Sequence, residues 1–187
     1  MVLGVLALVC VLTAAVLYVK AKARPPLPET PGQSASRQTY HVPIAQQYLQ
    51  IQQAAMSGVT QPVALDAGPE DVQTALAPHL RQRGIEDLRV AITDRLLVAQ
   101  GRTVVHDQAL WVTVYLQPTA NNGQIALRLV DGEIGSLPMP TAVRSEVQRQ
   151  LDRNLAGLIS PGIPIRLDAV SVASGRLVIQ GTVNARR

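Results

Sequence analysis

Across residues 1 to 19 no side chain carries a charge and eleven positions are Leu or Val, so the chain opens on an unbroken apolar run. Residues 24 to 39 (RPPLPETPGQSASRQT) then bring four prolines and almost no apolar side chains. Such a stretch buries too little surface to offset ordering entropy and predicts a semi-rigid tether. Across residues 44 to 57, Ile44, Tyr48, Ile51 and Ala55 recur amid glutamines and Gly58 follows. That spacing predicts a helix, either docking or acting as a stalk.

The globular pattern begins near Val59. Residues 63 to 65 read as a short strand, and Pro69-Glu70-Asp71 suits a first helical turn, with proline at the first position and acids at the positive end of the dipole. Val72, Leu76 and Leu80 form an apolar stripe, Gly84 is a plausible stop, and Pro78 is expected to kink or shorten the helix. Beyond Gly84 the period changes to two. Leu88, Val90 and Ile92 alternate with Arg89, Ala91 and Thr93; a turn at Asp94-Arg95 leads to extended segments at 97–100 and 103–105. LWVTVYL at 110–116 is β-branched and aromatic, and residues 119 to 123, containing Asn121-Asn122-Gly123, are a turn signal before Ile125, Leu127 and Leu129. Helical spacing returns over 140–159, where Val143, Val147, Leu151, Leu155 and Leu158 oppose Arg144, Glu146, Arg149 and Arg153. A last hairpin, 165–172 and 177–183, turns at Ser174-Gly175. At an offset of 80, Val90, Leu97, Val98, Gln100 and Gly101 match Val170, Leu177, Val178, Gln180 and Gly181, which is as well explained by convergent hairpin patterning as by duplication.

Length gives the first apolar run its meaning. At ~1.5 Å per residue a helix of that size spans about 28 Å, close to the hydrocarbon core of a bilayer. Its Leu and Val residues favour insertion by roughly 3 to 6 kcal/mol together. The competing reading is a cleaved signal peptide at Ala21-Lys22-Ala23, but the run is longer than such segments and no basic residue precedes it. Lys20, Lys22 and Arg24 follow the run, and by the positive-inside rule they place the domain in the cytoplasm. Cys10 is the sole cysteine, so the domain has no internal disulfide and is stabilised by burial. The chain carries 17 basic and 13 acidic residues, a mild excess that suits an anionic membrane surface.

PEDVQTAL, LRVAITDRLLVAQG, GQIALRLVDGEIGSLPMP and LDAVSVASGRLVIQG together resemble small membrane-anchored bacterial proteins of the YpmS-like and LmeA-like phospholipid-binding type, over about residues 60 to 187. The resemblance implies an α+β domain outside the cytoplasm that handles lipid, the side opposite to the one the flanking charges favour. The expected architecture is therefore α+β: a curved antiparallel sheet, formed by the meander and the C-terminal hairpin, packed on two amphipathic helices and preceded by a single transmembrane helix. Its divisions are an anchor at 1–19, a proline-rich linker at 20–40, a helix or stalk at 41–58 and a lipid-binding-like domain at 59–187.

Catalytic chemistry has no foothold in the pattern. No nucleophile elbow, phosphate loop or zinc spacing occurs, and His41, His79 and His106 stand far apart. Asp131-Gly132-Glu133 supplies too few oxygens for calcium and reads as a solvated turn. With no Phe, one Trp and four Tyr, the chain lacks the stacking platforms expected beside nucleic acid. The expectation is a non-enzymatic domain without cofactor or metal whose partner is membrane lipid, with an envelope scaffold or assembly role beside a protein partner as the alternative. Candidate lining residues for an apolar groove are Val72, Leu76, Trp111, Leu127, Leu129, Leu137, Met139, Val147, Leu151 and Leu155. Leu137-Pro138-Met139-Pro140 is expected to be free of regular pairing and to form the rim.

Overall fold

Residues 22–28, 44–56, 60–93, 95–105, 107–158 and 165–183 are described by a computed structural model. In chain order they form α1 (Ile44–Met56), β1 (Gln61–Ala67), α2 (Pro69–Arg81), β2 (Ile85–Ile92), β3 (Leu97–Val105), β4 (Gln108–Asn121), β5 (Gln124–Ile134), β6 (Leu137–Pro138), α3 (Thr141–Leu158), β7 (Ile165–Ala173) and β8 (Arg176–Val183). Local signals explain most boundaries. At the start of α2 the Gly68 N–H donates to the Asp71 carboxylate at 2.8 Å, Pro69 occupies the first turn, and the helix ends within one turn of Pro78. Asn122-Gly123 and Ser174-Gly175 hold φ of 51° and 78°, and of 51° and 72°. Two successive left-handed residues are what a two-residue hairpin needs to match the strand twist.

The strands form two sheets, which corrects the expected architecture. β2-β3-β4-β5-β6 is an antiparallel five-stranded sheet, whereas β1, β8 and β7 form a separate three-stranded one. The C-terminal hairpin leaves the meander because β1 pairs along its whole length with β8, from Gln61↔Val183 to Ala67↔Leu177. Alternation shows which face of a strand is apolar but not which strand lies beside it, so a partner more than a hundred residues away escapes it. Among the described residues the helix expected over 44–57 is α1, which packs on β1 and buries Ile51, so it accompanies the sheets together with α2 and α3.

The transmembrane helix expected at 1–19 lies outside the described residues, and among the described residues no helix is long and apolar enough to cross a membrane. The described architecture is thus two antiparallel sheets with three helices and no membrane helix. Asp131-Gly132-Glu133 runs through β5 as strand, next to a bulge that leaves Val130 without a cross-strand partner in the register, instead of forming a turn.

The core lies between the sheets. Register places Val90, Ile92, Leu97, Leu116 and Leu129 on one face of the larger sheet, where they cluster with Ala67 and Leu177 of the smaller sheet and Val72 of α2. Ile92 is fully enclosed there, as are Val183 of β8 and, on the opposite face of the larger sheet, Val98. Burying each such aliphatic side chain contributes roughly 1.5 to 3 kcal/mol.

Two edges of these sheets are closed by glutamine. From α1, the Gln47 side chain accepts from the Asp66 N–H at 2.9 Å and donates to the Asp66 carbonyl at 3.0 Å on β1. From α3, Gln148 accepts from the Leu129 N–H at 2.6 Å and donates to the Leu127 carbonyl at 3.1 Å on β5. A primary amide presents one donor and one acceptor side by side, as a neighbouring strand does, so each helix covers an edge that would otherwise be open.

Candidate functional site

Six of the ten groove candidates lie in or against the core. Val72 and Leu129 belong to the buried core, while Leu76 of α2, Leu127 of β5, and Val147 and Leu151 of α3 pack against it half-buried. Leu88, Val114, Val170, Val172 and Ile179 do the same and were not singled out by the pattern. The half-buried candidates border that core in two places: Leu76 on α2, which packs on β2, and Leu127, Val147 and Leu151 along an apolar seam where α3 packs on β5.

The other candidates go elsewhere. Leu137 is half-buried in β6, and Leu137 and Pro138 pair with Ile134 and Glu133, so the segment expected to be free of pairing carries a short strand. Met139 is buried over Gly132: a Cβ built on that glycine would stand 2.8 Å from the methionine Cε. The missing side chain of Gly132 thus makes the space that Met139 occupies. Leu155 belongs to α3, but its side chain lies outside the described residues. Trp111 is not in the seam at all. It is paired with Arg102 on the opposite face of the five-stranded sheet.

That outer face holds the polar chemistry of the domain. Cross-strand register aligns Arg89, Gln100, Thr113 and Glu133 in one row and Ala91, Val98, Tyr115 and Asp131 in the next. Gln100 and Thr113 are essentially inaccessible, at 0% and 1% exposure. Gln100 donates to the Thr113 hydroxyl at 3.2 Å and to the Pro25 carbonyl at 2.8 Å, and its own oxygen accepts from the Arg24 Nε at 3.3 Å. The Arg24 guanidinium lies 4.5 Å from the centroid of the Trp111 ring. Nearby, the Tyr115 hydroxyl donates to Glu133 at 3.2 Å. Burial, then the charge and hydrogen bond of Glu133 and the charge of Asp131, push this phenol above its ordinary value. None of this was visible in the pattern. A glutamine inside a β-branched strand is the one available hint, because a polar residue there is either solvated or specifically partnered.

A cleft of about 510 Å³ opens where the β4–β5 turn meets β7, lined by Ala120, Asn122, Gly123, Arg166, Leu167 and Asp168. The Leu167 N–H donates to the Gly123 carbonyl at 3.0 Å, tying the two sheets together at its base. Its mixed charge and polar walls do not suit an acyl chain. Among the described residues no group of three or more His, Cys, Asp or Glu side chains is placed to hold a metal ion.

No family model, curated protein or solved structure matches the chain.

Proposed function

We propose that this domain binds an acyl chain of a membrane lipid without catalysis, in the apolar seam along α3 and β5. The observation that carries this reading is the set Leu127, Val147 and Leu151: aliphatic side chains from a helix and a strand, packed on the core yet only half-buried. Each methylene that such a surface removes from water contributes about 0.8 kcal/mol, so even part of an acyl chain laid along it binds measurably. The family resemblance supports the same ligand class and adds the extracytoplasmic side, which protease accessibility at the membrane reads directly.

Native mass spectrometry of the full chain extracted from membranes tests the proposal. Lipid is expected at near-stoichiometric occupancy, and Leu151→Gln, which puts an amide into the seam, lowers it. A folded wild-type chain that carries no lipid overturns the reading. The second reading, an envelope scaffold or assembly protein with a protein partner, is favoured by the end of the β3–β4 hairpin, where Val104 and Val105 stand 63% and 46% exposed. It predicts crosslinks from that hairpin to a protein instead of to lipid.

A further inference from the structure

Gln100 poses a question that the core does not answer. It lies on the sheet face turned away from the interlayer core, yet it is fully inaccessible. Two of its three side-chain hydrogen bonds go to Arg24 and Pro25, in a stretch whose composition alone reads as a solvated tether. Pro25 is buried there, although its neighbours Arg24 and Pro26 are exposed. We propose that Gln100, Thr113 and Trp111 form a recognition site for an extended arginine–proline segment, with residues 24–28 of this chain as its resident ligand.

Each contact selects a chemical feature. The Gln100 amide donates to a main-chain carbonyl, and a proline at that position offers the carbonyl without bringing an N–H that burial would leave unpaired. The residue before a proline is held extended, which orients Arg24 before it binds, and Pro26 continues the same preference. Arginine fits where lysine would not. Its planar guanidinium stacks on the indole face while Nε remains free to donate to the Gln100 oxygen. The Thr113 hydroxyl accepts from the second hydrogen of the same Gln100 nitrogen and helps hold the amide in place. An aromatic platform beside a directed amide is how extended proline segments are generally read. Because ligand and site share one chain, the effective concentration is of millimolar order, and weak contacts suffice to keep the site filled. The segment is therefore a latch that couples the N-terminal part of the chain to the five-stranded sheet.

Trp111 is the only tryptophan in the protein, so its fluorescence reports the site alone. In the full chain, Arg24→Ala is expected to raise the acrylamide quenching constant of Trp111 about twofold or more, since one ring face loses its cation–π cover. A synthetic Arg-Pro-Pro-Leu-Pro peptide added to the Arg24→Ala chain is expected to restore protection, and Ala-Pro-Pro-Leu-Pro is not. Gln100→Ala in the Arg24→Ala background abolishes the rescue. Unchanged quenching in an Arg24→Ala chain with native far-UV dichroism overturns the proposal, and so does equal rescue by both peptides or by neither. Should Gln100→Ala fail to fold, the Arg24→Ala chain and the two peptides decide the matter by themselves.

Discussion

Two glycines that look alike in the sequence meet different neighbours. A Cβ at Gly101 would stand 2.5 Å from Cγ2 of Ile85, a methyl on a branched carbon with little freedom to move. At Gly132 the obstacle is the tip of Met139, the end of a flexible chain. Chemical denaturation should show Gly101→Ala costing about 1 to 3 kcal/mol and Gly132→Ala less, with the second recovered in part by Met139→Ala. A larger loss at Gly132 would contradict this order. Tyr115 gives the residue scale a pH dependence. Its phenol titrates above the unfolded value because burial, then Glu133 and Asp131, disfavour the phenolate. The folded state thus retains a proton that the unfolded state has lost. The stability this provides is complete below about pH 10 and is lost as pH rises through the folded value. Thermal melts across that window should fall less steeply for Tyr115→Phe than for the wild type.

At the scale of elements, the helices do more than cover apolar faces. Gln47 and Gln148 each present a side-chain amide to one residue or one pair of residues on an edge strand, and helical periodicity alone treats both as solvent positions. Gln148→Ala should cost about 1 to 2 kcal/mol through the lost hydrogen bonds to Leu127, Leu129 and the exposed Asp152 carboxylate, and hydrogen exchange at the Leu129 amide should accelerate more than at amides of β3. An unchanged Leu129 amide would mean that another group covers the edge. The hairpins, by contrast, were legible beforehand. Asn122-Gly123 and Ser174-Gly175 announce turns because few other residues tolerate consecutive left-handed conformations. Pairing of Leu137-Pro138 was not legible. It is a tight local hairpin over Gly135-Ser136, with Gly135 at φ 60°, and the prolines on either side of Met139 masked it.

For the whole molecule the decisive contact is between sheets. Leu177 of β8 joins the same buried cluster as Ile92, Leu97 and Leu116 of the larger sheet. Leu177→Ala should therefore cost about 2 to 5 kcal/mol and lower one shared transition. Trp111 fluorescence reports the five-stranded sheet and far-UV dichroism the whole chain, so coincident midpoints are expected. Separate midpoints would show that the sheets fold independently. By itself the sequence determined most strand and helix segments, their apolar faces, several turns and six residues that lie in or against the core, because periodicity and turn chemistry are local properties. Only the tertiary structure decided that β1 draws the C-terminal hairpin into a second sheet and that Arg24 and Pro25 close over Gln100. Those outcomes join residues 75 or more positions apart, where the free energy of pairing depends on which surfaces meet and no local pattern records the choice.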